Sequence, residues 1–195
     1  MGKVVVSQFV TVDGVIEDPG GSEGLDRGGW AFKFERGAEG DTFKLDELMA
    51  SDSLLLGRVT FEGFAAAWPG RKDEYGFADR FNSMPKYVVS TTLADPEWNN
   101  SHVIGENAAE EIAKLRQEPG GDILVNGSAQ LCGLLREHGL VDEYRLMVFP
   151  IVLGRGKRLF SDGPETTSLE LVDSKPVGDQ GVIILTYRPV ESEAA

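Results

Sequence analysis

Leu54-Leu55-Leu56-Gly57-Arg58-Val59-Thr60 decides the fold: an apolar run stops at a glycine, and helical spacing resumes at the next residues. The run from Ser53 to Leu56 reads as a short buried strand, and Val59 to Ala67 reads as a helix that stops before Trp68-Pro69. The construction recurs at Ile123-Leu124-Val125-Asn126-Gly127-Ser128-Ala129, where a helix follows through Leu131, Leu134 and Leu135 to Gly139. Strands alternating with helices at this rhythm imply a layered α/β fold with parallel strands, whose ligands sit at strand C-termini.

Working outward, Lys3 to Val12 is rich in β-branched residues and predicts a first strand, ended by the turn Asp13-Gly14. The Gly-rich stretch from Glu17 to about Gly40 is longer than an ordinary connection, which marks it as a functional or mobile cover. Trp30, Phe32 and Phe34 make it too apolar for a free linker. From Asp41 the spacing of Phe43, Leu45, Leu48 and Met49 predicts a helix with Asp41 as its N-cap. Asp73 to Ser83 predicts another helix, Lys86 to Ser90 and Val103-Ile104 strands, and Ala108 to Gln117 a helix with Glu110 and Lys114 paired at i,i+4. Glu143 to Val152 reads as a strand, and Leu169 to Asp173 with Val182 to Tyr187 as a closing antiparallel pair. The expectation is one domain over residues 1–189, a mixed sheet, and a frayed tail over 190–195.

The chain has 195 residues, 41% of them hydrophobic and 26% charged, enough for a core without metals or disulfides. Acidic residues outnumber basic ones 32 to 19, and the net charge of −13 repels nucleic acid and anionic membranes. An anionic ligand therefore needs a local site of backbone N–H groups and a few basic side chains. Cys132 has no internal disulfide partner, and with only His102 and His138 beside it no N/S metal site is expected. No apolar run approaches the roughly 18 residues that span a bilayer, and a cytoplasmic protein is the expectation.

Both opening turns have the makings of an anion site, because unpaired N–H groups and the helix dipole attract phosphate at a helix N-terminus. Gly57 with Arg58 and Thr60 forms one, and Asn126-Gly127-Ser128 the other. An ordinary strand-to-helix turn with a solvated Arg58 reads the same residues as well. Neither has the spacing of a P-loop or a G-x-G-x-x-G fingerprint.

The order of these turns with Tyr87-Val88-Val89-Ser90-Thr91, with Phe9-Val10-Thr11-Val12-Asp13-Gly14-Val15-Ile16 and with Val141-Asp142-Glu143 before Phe149-Pro150-Ile151-Val152-Leu153-Gly154 resembles the dihydrofolate-reductase-like family. It is most similar to the bacterial branch related to the reductase domain of riboflavin-biosynthesis deaminase-reductases, from Lys3 to Tyr187. The resemblance implies a three-layer α/β fold: a central mixed, mostly parallel sheet flanked by helices, with an antiparallel C-terminal hairpin.

It also implies an NADPH-dependent reductase of a small heterocyclic substrate, pterin-like or ribosylaminopyrimidine-like. By that resemblance Gly57, Arg58, Val59 and Thr60 contact phosphates, Ser90 and Thr91 hold the region of the adenosine 2′-phosphate, and Asn126, Gly127, Ser128, Ala129, Gln130 and Leu131 wrap the pyrophosphate. Val12 and Ile16 flank the nicotinamide, Asp13 and Trp30 lie on the substrate side, and the Glu17 to Gly40 loop covers the pocket. Asp41, 16 positions before Gly57, matches the place of the family's catalytic acid, although a helix cap explains it too.

Two departures separate the chain from folate enzymes: Met84 stands near the place of their glutamate-binding Arg, and Leu146-Met147-Val148 offers no Thr behind an acid. Arg155, Lys157 and Arg158 are candidates for a substrate phosphate, or a solvated turn. A protein that kept the fold and lost catalysis, serving as a nucleotide-binding or interaction protein, is the alternative. Relatives pair as homodimers, and Leu146 to Leu153 is the candidate interface.

Overall fold

The computed structural model describes residues 2–161 and 166–190, so the tail expected at 190–195, Val190 apart, lies outside the described residues. The order of elements is β1 (Val4–Thr11), a 3-10 turn (Trp30–Lys33), α1 (Gly37–Ala50), β2 (Ser51–Gly57), α2 (Arg58–Ala67), α3 (Phe77–Ser83), β3 (Lys86–Val89), β4 (Ser101–Ile104), α4 (Ala108–Gln117), β5 (Asp122–Val125), α5 (Ala129–Glu137), β6 (Glu143–Phe149), β7 (Leu169–Val177) and β8 (Val182–Pro189). They form an eight-stranded sheet in the order β4-β3-β2-β5-β1-β6-β8-β7. All neighbours from β4 through β6 are parallel, and β8 and β7 close the sheet antiparallel. The mixed, mostly parallel sheet is thus as expected.

Parallel strands buried on both faces carry unbroken apolar runs, and the side-chain period of two divides each run between two cores. Leu55, Ile123, Val125, Val4 and Val6 pack with Ile112 of α4 and with Leu131 and Leu135 of α5. Leu54, Leu56, Leu124 and Val5 pack on the other face with Leu48 of α1, Phe61 of α2 and Phe81 of α3. A third core holds Met147, Phe149 and Ile184 under Val15 and Trp30.

Several boundaries move for local reasons. Helix α1 starts at Gly37, so Asp41 lies in its second turn and does not cap it. Helix α3 starts at Phe77 because Asp73 accepts hydrogen bonds from the amides of Tyr75, Gly76, Phe77 and Ala78 at 2.6 to 3.0 Å. Those bonds, that of Ala78 foremost, hold the Asp73 carboxyl below its usual range. Lys114 pairs with Glu111 at 2.6 Å, one residue nearer than the expected Glu110. Strand β6 ends at Phe149, and it pairs with β1 on one edge and β8 on the other. In the segment expected to offer an interface, Leu146, Met147, Phe149 and Leu153 are buried, while Val152 is 67% exposed.

Lys86 is a buried cation that the sequence does not advertise. Its ammonium donates to the carbonyls of Met84, Asn99 and Asn82 at 2.8, 3.1 and 3.4 Å and lies 4.3 Å from the Trp98 ring centre. Burial pushes its pKa down to about 8. The folded chain releases this proton before the unfolded chain does, so the group adds stability as pH rises from about 8 toward the ordinary 10.5. Lys86→Met is expected to cost about 1–3 kcal/mol at neutral pH, by leaving three carbonyls without a donor. In urea titrations the gap between wild type and variant should widen from pH 8 to pH 10, and a gap that narrows would contradict the assignment.

Candidate functional site

Strands β2 and β5 are neighbours in the sheet, so their C-terminal ends bring the two glycine turns side by side. The turns interlock: the Gly57 amide donates to the Gly127 carbonyl at 3.4 Å. A Cβ on Gly57 would stand 2.3 Å from Ser128 Oγ, and one on Gly127 would stand 2.7 Å from Thr60 Oγ1. Gly127 also has φ of 101°, where side chains are strained, and its peptide to Ser128 is cis. Helices α2 and α5 both start here, and neither has a side chain capping its first amides. Two uncapped N-termini, with their dipoles, thus open at one place.

That place is a cleft of about 1110 Å³. Gly57, Arg58, Val59, Thr60, Ser90, Thr91, Ile16 and the whole turn from Asn126 to Leu131 line it, as does Asp41. The expected cofactor residues, Val12 excepted, are therefore brought together. Some of their side chains are already engaged. Arg58 donates to both carboxylate oxygens of Glu62 at 2.8 and 3.0 Å, and Ser90 Oγ accepts from the amides of Thr92 and Leu93. Arg71 stacks over Trp68 at 4.9 Å, lines the same cleft, and has no carboxylate partner among the described residues.

Three expected residues lie elsewhere. Val12 is 63% exposed on the loop after β1 and is not part of the cleft wall. Asp13 accepts from the Thr11 hydroxyl at 2.6 Å and from the amides of Leu153 and Gly154, and the Thr11 bond leads in lowering its pKa. It ties the first loop to the turn after β6. Trp30 is fully buried, edge-on to Phe149, with its indole N–H donating to the Glu17 carbonyl at 2.9 Å. It is a core anchor beneath the cover, while Phe32 of the same loop is exposed and reaches the cleft.

The long loop is latched. Asp18 accepts from the amides of Glu23 and Leu25, Arg27 donates to the Leu153 carbonyl, Lys157 pairs with Glu17 at 2.7 Å, and Arg155 pairs with Asp26. Arg158 donates to the Asp13 carbonyl. The three basic residues of that turn hold the loop and its neighbours, and only Lys157 lines the cleft. Asp18→Ala is expected to free the segment 18–29, seen as faster amide exchange there with little change elsewhere.

The sequence reading missed a polar group in the cleft. Ser7 and Gln8 interrupt the otherwise apolar β1, and that interruption was the available signal. The Ser7 hydroxyl donates to Glu47 at 2.7 Å and accepts from Lys44 at 2.7 Å, while Lys44 also pairs with Glu47. Arg36 and Lys44 both approach the Phe9 ring, at 5.1 and 5.2 Å, and Arg36 holds Asp41 at 2.7 Å.

Among the described residues no cluster suits a metal ion, and no helix is long and apolar enough to cross a membrane. A parallel sheet with an antiparallel end and a cleft at its C-terminal edge is the dihydrofolate-reductase-like architecture, and solved structures agree. The chain is similar to a putative riboflavin biosynthesis protein from Shewanella sp. PV-4, with TM-score 0.75, 23% identity, and 98% of this chain and 100% of that one covered. It is similar to dihydrofolate reductase from Enterococcus faecalis, solved with NADP(H) and RAB-propyl, with TM-score 0.60, 17% identity and 96% of each chain covered. In sequence it is 32% identical to the uncharacterized protein YyaP of Bacillus subtilis (strain 168) over 188 residues, 95% of this chain and 94% of that protein. YwjB, also uncharacterized and of the same strain, is 31% identical over 178 residues, 90% of this chain and 92% of its own length. Residues 2–183 match the RibD C-terminal domain, and the chain belongs to that family.

Proposed function

We propose that the chain is an NADPH-dependent reductase of a small heterocyclic substrate, pterin-like or ribosylaminopyrimidine-like. The observation that carries this reading is the interlocked pair of uncapped helix N-termini at the cleft, where glycines occupy the two positions at which a Cβ would close the turns. Such a site suits a pyrophosphate in a protein of net charge −13. NADPH bound there would supply the hydride. The turn from Asn126 to Leu131 and the amides of α2 hold its phosphates, and Ile16 offers an apolar flank for its nicotinamide. The latched loop from Glu17 keeps water from the reacting atoms. Asp41, held by Arg36 at 2.7 Å, orients the substrate from α1.

Oxidation of NADPH, followed by nicotinamide absorbance against a panel of oxidised heterocycles, tests the reading. Turnover with at least one heterocycle is expected. NADPH binding without turnover across the panel would favour a nucleotide-binding protein that has lost catalysis. Arg58→Ala is expected to weaken NADPH by about tenfold, in line with one charge-assisted hydrogen bond, and NADH much less. Equal losses would place Arg58 away from the 2′-phosphate and turn attention to Arg71. Asp41→Asn should leave the urea midpoint nearly unchanged, since a half-exposed ion pair is worth about 0–1 kcal/mol. The same change is expected to lower turnover at least tenfold, and unaltered turnover would reduce Asp41 to a surface partner of Arg36.

A further inference from the structure

The carboxylate of Glu47 is buried beside the cleft: the residue is 4% exposed, and its Oε2 has no partner among the described residues. An ion so placed is tolerated only when a counter-charge meets it closely. Lys44, one turn earlier on α1, supplies that charge, and the Ser7 hydroxyl completes the triangle. The ammonium spends two of its three N–H donors on Ser7 Oγ and Glu47 Oε1. One donor remains, and Lys44 lines the cleft whereas Glu47 does not. The triangle is also tied to the second glycine turn, because Asn126 donates its side-chain Nδ2–H to the Ser7 carbonyl at 3.4 Å. Phe9 beside it offers an aromatic surface to the cleft.

We infer that Lys44 is a specificity-determining residue, held by Glu47 and Ser7, which selects a flat ring turning a hydrogen-bond acceptor, a carbonyl oxygen or a lone-pair nitrogen, toward α1. This rests on the reductase reading for its location, since the ring would lie next to the cofactor turn. The chemistry follows from which partner of the ion pair shows. A carboxylate facing the cleft would select rings with N–H donors or a positive charge. Here the carboxylate is covered and the ammonium faces the ligand, so donor-rich rings leave both partners unmatched. Asp41, the carboxylate of this helix that lines the cleft, is held by Arg36.

The test uses two rings of one shape, quinazoline-2,4-dione with two carbonyl acceptors and 2,4-diaminoquinazoline with donors in their place. Each is titrated calorimetrically into the NADP+-loaded chain. The dione is expected to bind at least tenfold tighter. Lys44→Met should erase that preference, Lys44→Arg should keep most of it, and Ser7→Ala should lower dione affinity several-fold. Because Lys44→Met strands a buried carboxylate, the double variant Lys44→Met with Glu47→Gln removes both charges together and should show the same loss of preference in a folded chain. Equal or tighter binding of the diamine, a preference that survives in the double variant, or no binding of either ring would each overturn the proposal. A chain that does not take up NADPH contradicts the reductase reading instead; the two rings are then compared on the cofactor-free chain, where the same outcomes decide.

Discussion

Gly127→Ala is expected to lower NADPH affinity at least tenfold and to lower stability by about 1–3 kcal/mol, the range for a side chain forced into a sparsely populated backbone region. Two effects add. The residue has φ of 101°, and its new methyl would meet Thr60 Oγ1 at 2.7 Å and Cγ2 at 3.4 Å. Thr60 is in the first turn of α2, so relieving the clash moves the two helix N-termini apart, and a pyrophosphate held by both loses part of its amide cradle. Gly133 provides the control, for it lies inside α5, where a Cβ would meet nothing within 4 Å. Gly133→Ala should raise stability by about 0.5–1 kcal/mol through helix propensity and leave NADPH affinity unaltered. A Gly127 variant that binds like wild type would remove the second turn from the cofactor site.

Trp30→Ala is expected to have the largest effect on stability, about 3–5 kcal/mol, as for other large aromatic side chains removed from a core. The ring is fully buried against Phe149, and its N–H fastens the loop at Glu17. Trp30→Phe, which retains much of the packing and loses the hydrogen bond, should cost less, and both variants should expose the segment 17–29 to protease. A substrate contact would behave differently, raising KM with little change in melting temperature. That pattern would reinstate Trp30 in the cleft.

The parts of the fold that were legible are those governed by local rules. Leu54 to Leu56 and Ile123 to Val125 are apolar at successive positions because both sheet faces are covered, and the glycines after them stop the strands where two helices start. Boundaries set by distant or unusual partners were not legible. Asp41 looked like a cap because it is an Asp near a helix start, but Gly37 begins the helix and Arg36 takes the carboxylate. Trp30 looked like a lid residue because it sits among glycines, and only the fold shows that it reaches Phe149. Lys44 and Glu47 carry no local signal of a site; Ser7, 37 residues from Lys44 in the chain, meets both, and of the pair only Lys44 lines the cleft. The two glycine turns were legible as turns because backbone geometry and glycine, which local sequence does report, define them.

The central claim is that the two turns together hold NADPH. Calorimetric titration of NADPH into wild type and Gly127→Ala tests it most directly. One NADPH per chain at micromolar affinity or tighter, weakened at least tenfold by the substitution while Gly133→Ala leaves it intact, is the predicted result. No binding of NADPH to wild type at millimolar concentration, or equal affinity in wild type and Gly127→Ala, would contradict it.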